Sequence, residues 1–334
     1  MRGIGSWLRT LRPIDEAAYL NANPDVRAAI QAGDLRSGRQ HYRCWGRAEG
    51  RPLVPPPPSR RDKLLDGLDL ERMAGVEIGA LTSPIVSKQE AGERILYVDH
   101  LDTEGLRQKY SDDQLAGATL VDVDRVWGEQ TLQDCIGPGL KVDYVLNSHV
   151  IEHVPDIVTW LQEIHAILRP DGRLRMAIPD RRYTFDFLRR ESTLADALGA
   201  YVQRARSPLP RAILDHFLYE ADVDPAKAWA GEVRSEATRP KRPPQHALEF
   251  AERAYRTGLY LDAHCWVFTP LSFAELCGEL ASLGLLHLAC ERIYPTETMH
   301  IEFIASLRPA RDGADAASSW QAARAELRAK TAER

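Results

Sequence analysis

Between residues 73 and 180 the apolar positions follow two periods in turn. Val76-Glu-Ile-Gly79 ends a short apolar run. Arg94–Asp99, Ala118–Asp122, Val142–Asn147 and Leu174–Pro179 are further short runs, suited to buried strands. Between the last two, Ile157, Trp160, Leu161, Ile164 and Leu168 recur at helical spacing, with Pro170 and Gly172 as a stop signal. Strand alternating with helix predicts a mostly parallel sheet covered by helices on both faces.

After Pro179 the alternation breaks. Residues 181–262 read as an insert, with helical periodicity near 193–205, 209–220 and 245–256 and a polar, proline-broken stretch at 231–244. Alternation then returns. A helix is predicted after Pro270, with Leu271, Phe273, Leu276, Leu280 and Leu283 as buried positions. The apolar runs 285–294 and 300–307 suit a closing hairpin.

The flanks differ from this middle. Residues 1–51 suggest two helices, one starting at Asn23-Pro-Asp25. Within them, Ile4, Trp7, Leu8 and Leu11 have helical spacing among Arg2, Arg9 and Arg12, as in a short docking helix. Residues 52–63 form a proline-rich linker, stiff and extended. The main domain is predicted at 64–310, and the Ala-, Arg- and Glu-rich tail 311–334 as a loose helix or a partly disordered end.

Composition narrows the class. The net charge of −5 lacks the basic surplus of a nucleic-acid-binding domain. No apolar run is long enough to span a membrane. Cys44, Cys135, Cys265, Cys277 and Cys290 make no close pair, so a disulfide framework or zinc ribbon is not expected. They read as reduced thiols of a cytoplasmic protein.

Ligands of open parallel sheets bind beyond the carboxyl ends of the strands. Those ends carry Glu77, Gly79 and Ala80, then Asp99 and His100, Asp122 and Asp124, and Asn147, Ser148 and His149. Asp99 follows Glu77 by 22 residues, the spacing at which a second-strand acid reaches ribose hydroxyls. A dinucleotide needs a glycine-rich turn under its pyrophosphate. Glu77-Ile-Gly79-Ala-Leu-Thr-Ser-Pro84 offers one glycine, whereas a carboxylate there suits a cationic ligand. This favours S-adenosylmethionine over NAD.

The stretch Val76–Pro179 resembles the class I S-adenosylmethionine-dependent methyltransferases. Glu77-Ile-Gly79 is similar to their first motif, Asp99 to their ribose-binding acid, and Asn147-Ser-His-Val-Ile-Glu-His-Val-Pro155 to their motif after strand four. Leu168-Arg-Pro-Asp-Gly-Arg-Leu174 resembles their turn into strand five, and Trp266-Val-Phe-Thr-Pro-Leu-Ser-Phe273 their lead-in to the last helix. The resemblance implies a doubly wound, seven-stranded Rossmann-like sheet with a reversed last strand, and methyl transfer as the activity. It places Glu77 and Gly79 at the methionine part, Asp99 at the ribose, Asp122 or its neighbours near adenine, and Asn147 to His149 near the sulfonium. Leu81 and Ser83 stand where the family has further glycines. Separately, Tyr19-Leu-Asn-Ala-Asn-Pro-Asp-Val26, His41-Tyr42 and Gly46-Arg-Ala-Glu-Gly50 resemble a helical module found beside bacterial surface-glycan enzymes, which implies a glycan-assembly context.

The remaining candidates concern the acceptor. His149 is the candidate general base for a hydroxyl substrate. His149 and His153, four residues apart, have the spacing of a metal pair, but no third ligand is evident and no metal is expected. Arg181, Tyr183 and Asp186 after strand five, and His264 and Trp266 before the last helix, are candidate acceptor contacts. His216 and His246 reach the site only if the insert closes as a lid. The reading is O-methylation of a sugar or other small polar acceptor, with S-adenosyl-L-methionine as cofactor. The alternatives are an inactive scaffold of the same fold in glycan assembly and an NAD-dependent oxidoreductase.

Overall fold

The computed structural model describes residues 14–110 and 117–332, so the expected helix at Ile4–Leu11 lies outside the described residues. The chain divides into two compact units, Met1–Arg60 and Arg61–Arg334. In the first, helix Glu16–Ala22 is capped by Asp15, whose carboxylate accepts the Ala18 N–H (3.1 Å). Helix Pro24–Gln31 follows, with proline at its first position. Asn23 does not cap it. Its amide nitrogen donates to the carbonyls of Tyr19 (2.8 Å) and Pro52 (2.9 Å), tying the first helix to the returning chain. A further helical segment, Gly38–His41, continues into a wider turn at Tyr42–Gly46. Tyr19 is fully buried and shares a hydrogen bond with His41 Nδ1 (2.9 Å). A Cβ at Gly46 would stand 2.3 Å from the Tyr19 hydroxyl, so only glycine fits there.

The second unit is built on seven strands: β1 (Gly75–Ile78), β2 (Ile95–Asp99), β3 (Arg125–Val126), β4 (Val142–Ser148), β5 (Leu168–Pro179), β6 (Leu288–Tyr294) and β7 (Glu302–Pro309). Their order is β3-β2-β1-β4-β5-β7-β6, with only β7 reversed against its neighbours. This is the doubly wound Rossmann-like sheet of the methyltransferase fold. Ile78 lies opposite Val98 on one side and Asn147 on the other, so the three central strands end in step.

One predicted strand is displaced. Ala118–Asp122 joins no ladder. Its Val121 N–H donates to the Leu81 carbonyl (2.8 Å), and the Val123 N–H to Thr103 Oγ1 (2.9 Å). Asp124 leads into the sheet, its N–H donating to the Tyr97 carbonyl (2.9 Å) while its side chain accepts the Tyr97 N–H (2.8 Å), and the paired residues are Arg125 and Val126. A β-rich sequence was thus recruited to neighbouring loops instead of to the sheet edge.

Strand parity divides the core. Val76, Ile78, Val145, Leu174, Met176, Ile178, Phe303, Ala305 and Leu307 point to one face. There they meet helix Ile157–Ile167, helix Leu194–Gln203, helix Pro270–Ser282 and the C-terminal helix Gly313–Ala332. Tyr97, Tyr144, Leu146, Ala177 and Ile304 point to the other face, against Leu64, Ile85, Val86 and Ala91. Helix Ile157–Ile167 starts at Asp156, whose carboxylate accepts the Val158 and Thr159 N–H groups (both 3.1 Å). The insert holds helices Leu194–Gln203, Pro210–Tyr219, Pro225–Trp229 and Pro244–Thr257, the third in a stretch with no clear signal. Among the described residues no helix is long and apolar enough to cross a membrane.

The tail forms a helix, one of the two forms expected of it, but the helix is docked instead of loose. Gly313–Ala332 is one continuous helix. Trp320 is fully buried, donates through Nε1 to the Leu288 carbonyl (2.9 Å) and meets Phe273 edge-on at 5.9 Å. Ala316 and Leu327 are buried beside it, and Arg308 pairs with Asp315 (2.7 Å). A single indole among small residues carries this docking, a pattern that leaves little periodic signal. Trp320→Ala is expected to destabilise the second unit by about 3–5 kcal/mol in chemical denaturation. A loss below about 1 kcal/mol would mean that the tail contributes nothing to the core.

Candidate active site

Beyond the carboxyl ends of the central strands lies a cavity of about 740 Å³. Its floor is made by Ile78, Gly79 and Leu81 after β1, Asp99 and His100 after β2, and Ser148, His149 and Val150 after β4. Gly79 is required by geometry: its φ is +73°, and a Cβ would come within 2.6 Å of Val150 Cγ2. Leu81, at the place of a missing glycine, takes φ +48°. The loop thus keeps a left-handed residue, at a cost of about 1–2 kcal/mol that glycine would not incur.

Glu77 does not face this cavity. Strand parity turns it to the opposite face, where its carboxylate accepts the Ile85 N–H (2.7 Å) and the Val86 N–H (3.1 Å). It therefore shapes the loop after β1 from behind, instead of bordering the methionine part as the resemblance implied. Ala80 is buried on that same face and is absent from the cavity wall.

Asp99 is 7% exposed and belongs to the wall. Its Oδ1 accepts the His100 backbone N–H (2.7 Å) and lies 2.6 Å from His100 Nδ1. The ring therefore donates from Nδ1, and Nε2 accepts from Lys109 Nζ (3.1 Å). Lys109 continues to Asp262 (2.9 Å), and Asp262 to His153 Nδ1 (2.7 Å). One polar chain thus lines the cavity from Asp99 to His153. Burial pushes the Asp262 carboxyl up, but His153 and Lys109 outweigh it and hold the group well below the usual carboxylate range. Asp122 and Asp124 take no part. Asp122 is exposed, and Asp124 is engaged by Lys88 (2.6 Å) and the Tyr97 N–H. Both precede β3, and neither lines the cavity.

At β4, Ser148 and His149 line the cavity while Asn147 is fully buried beneath them. Neither polar atom of the Asn147 side chain has a hydrogen-bond partner. His149 sits at φ +54°, its Nε2 is 2.7 Å from Glu302 and its Nδ1 3.5 Å from Glu152. Burial alone would lower its pKa, but the two carboxylates raise it to about 9. At neutral pH the ring is an imidazolium, the wrong charge state for the general base expected from the sequence.

Residues 73–280 match the family model described as a methyltransferase domain. The chain belongs to that methyltransferase family. No curated protein matches the sequence. Similar solved structures include the CcbJ methyltransferase from Streptomyces caelestis, at 12% identity and TM-score 0.36, covering 76% of this chain and 97% of that one. An S-adenosylmethionine-dependent methyltransferase from Clostridium acetobutylicum has 8% identity and TM-score 0.36, covering 75% and 90%. A Rhodobacter sphaeroides protein described as a candidate Zn-dependent alcohol dehydrogenase has 14% identity and TM-score 0.40, covering 76% and 91%.

The methyltransferase domain places the five expected acceptor residues behind the cavity wall. Arg181 donates to the Phe187 carbonyl (2.6 Å), and Tyr183 stacks on Trp229 at 4.0 Å. Trp266 is buried and donates to the Val154 carbonyl (2.5 Å). Asp186 pairs with Arg189 (2.7 Å) and His264 Nδ1 (2.6 Å), while Arg189 also holds Asp215 (2.8 Å) and the His264 carbonyl (2.8 Å). Burial opposes the Asp186 charge, but His264 and Arg189 keep its pKa well below the ordinary value. These polar residues join the insert to the sheet. His216 is buried beside His264, and His246 is exposed away from the cavity.

The wall instead comes from residues with weak sequence signals. Lys109 and Tyr110 end the helix after β2, Trp127 and Gly128 follow β3, and Thr159, Trp160, Gln162 and Glu163 lie on helix Ile157–Ile167. The insert supplies Tyr201, Arg204, Arg206, Tyr260 and Asp262. A search for aromatic and charged residues at the edges of predicted helices would have found several of them.

Two outcomes follow. Leu81→Gly should raise stability by up to about 1–2 kcal/mol, less what the lost side chain contributed, and Leu81→Val should lower it. Equal stabilities in thermal denaturation would remove the strain argument. Arg189→Met leaves Asp186 and Asp215 without their guanidinium and should cost about 3–5 kcal/mol; a neutral result would show that the cluster does not anchor the insert.

Proposed function

We propose that the domain transfers a methyl group from S-adenosyl-L-methionine to a hydroxyl of a small, polar, sugar-like acceptor. The observation that carries this reading is Asp99, a buried carboxylate on the floor of a cavity beside the Gly79–Leu81 turn. The cavity lies within the range of about 300–1,000 Å³ usual for small-molecule sites. The cofactor supplies a methyl group on a sulfonium, a leaving group that needs no activation.

The residues fit that cofactor. Asp99 has acceptor capacity for ribose hydroxyls, and its Oδ1 is steadied by His100. Gly79 lets the backbone come close. The buried Asn147 amide lacks a partner, which costs about 1–3 kcal/mol until a bound group or water supplies one. The protein's main task is then to align acceptor and donor, which lowers the barrier by positioning.

Tyr110, Tyr260, Tyr201, Trp127 and Trp160 give the cavity aromatic surfaces beside Lys109, Gln162, Arg204 and Asp262. Apolar faces edged by hydrogen-bonding groups suit a sugar ring. The resemblance of the N-terminal unit to modules beside glycan enzymes supports the same acceptor class. The free thiols of all five cysteines fit a reducing, cytoplasmic setting.

Calorimetric titration with S-adenosylmethionine and S-adenosylhomocysteine is expected to show one site per chain. Asp99→Ala should weaken it by about 1–3 kcal/mol, roughly 5- to 150-fold. Absence of binding by the folded wild-type protein would refute the reading. Unchanged affinity in the variant would remove Asp99 from the site.

A further inference from the structure

Two histidines and one glutamate meet where His153 lines the cavity and the buried Glu152 and His264 lie beside it, although they come from segments over a hundred residues apart in sequence. Glu152, His153 and His264 each offer a donor atom, and the three atoms lie within 4.8 Å of one another. Glu152 and His153 follow β4, and His264 is on the return from the insert. The Glu152 carbonyl accepts the backbone N–H of Cys265 (2.6 Å) and Trp266 (3.2 Å), so the backbone holds the two segments in register.

The two rings are prepared in the same way. His153 faces Asp262 through Nδ1 (2.7 Å), and His264 faces Asp186 through Nδ1 (2.6 Å). A ring nitrogen that meets a carboxylate carries the proton, which leaves Nε2 of each ring with its lone pair available. A carboxylate behind the distal nitrogen is the usual outer support of a metal-binding histidine. The rings lie 4.6 Å apart edge to face, and a donor atom of the Glu152 carboxylate lies within 4.8 Å of a nitrogen of each. This carboxylate is fully buried, and neither of its oxygens has a hydrogen-bond partner. Its nearest ionic neighbours are His149 Nδ1 (3.5 Å) and His153 Nε2 (4.0 Å). The His149 ring supplies one positive charge at 3.5 Å, but the carboxylate oxygens still accept no hydrogen bond, which leaves them with capacity for a further cation.

We infer that Glu152, His153 and His264 form a binding site for one divalent first-row transition metal ion. Two imidazoles and one carboxylate suit Zn²⁺, Co²⁺, Mn²⁺ or Fe²⁺ and disfavour Ca²⁺ and Mg²⁺, which prefer all-oxygen shells. Bonds of about 2 Å require the donor atoms to draw closer than 4.8 Å. His153, a third exposed, has room to provide that movement. Three protein ligands leave a position open, and His153 lies in the cavity wall. The function of the ion rests on the methyl-transfer reading: it binds the acceptor oxygen and makes its hydroxyl more acidic, the proton passing to water.

The test uses the full chain, stripped with a chelator and desalted. Titration with Co²⁺ should produce visible ligand-field bands that saturate at one equivalent, and Zn²⁺ should abolish them. Glu152→Gln and His264→Ala should each weaken Co²⁺ binding by at least about 100-fold. Asp262→Asn keeps all three ligands and should weaken it by about 10- to 100-fold. His287→Ala, at an exposed histidine elsewhere, should leave binding unchanged. If His264→Ala does not fold, Glu152→Gln and Asp262→Asn decide the matter, with circular dichroism as the check on fold. No saturable bands, or full affinity in both folded variants, overturns the site. S-adenosylmethionine binding is read separately by calorimetry. Metal uptake without cofactor binding keeps the site and removes its role; cofactor binding without metal uptake overturns the site and spares the methyl-transfer reading.

Discussion

The arrangement depends on one backbone junction, where the Glu152 carbonyl accepts the N–H groups of Cys265 and Trp266. It joins the turn after β4 to the chain returning from the insert. Trp266 adds its indole N–H to the Val154 carbonyl, Val267 and Ser192 exchange hydrogen bonds, and Arg181 donates to the Phe268 carbonyl. Through this seam Tyr260, Asp262 and His264 acquire positions relative to the strand ends. Without it the long insert would have no defined relation to the cavity.

Charge is distributed along the seam in pairs. Arg189 is almost wholly buried, yet it meets Asp186, Asp215 and a carbonyl. Breaking such a set leaves an uncompensated charge in a medium that solvates it poorly. The polar residues behind the cavity wall thus hold the insert in place, and those in front, from Asp99 through Lys109 to Asp262, face the ligand space. Glu152 belongs to neither group, because its carboxylate is buried with them and has no hydrogen bond.

The loop after β1 shows how a departure from a motif is absorbed. Leu81 adopts the left-handed conformation that glycine would take without strain, and Glu77 fastens the loop from the far face through two backbone amides. Strained residues persist where surrounding structure determines them. The two non-glycine residues at positive φ on the cavity floor, Leu81 and His149, stand at the ends of adjacent strands.

The sheet was legible in the sequence wherever hydrophobic period and strand length agreed: β1, β2, β4, β5 and the closing hairpin lie close to their expected places. Asp99 and Gly79 were legible too, because strand-end position and spacing constrain them directly. Ala118–Asp122 was not, since its β-rich composition says nothing of the loops that capture its N–H groups. The direction of Glu77 depended on parity within the assembled sheet, and the state of His149 on Glu302, distant in sequence. The acceptor side was the least legible: Arg181, Asp186 and His264 have the residue types of a pocket but are engaged by partners that only folding brings near. The amino-acid sequence by itself determined the strands, their end residues and the methyltransferase family, because those follow from local period and short-range spacing. Which polar groups face the cavity, which face one another, and that His264 joins Glu152 and His153, tertiary structure alone decided, since each depends on contacts between segments far apart in the chain.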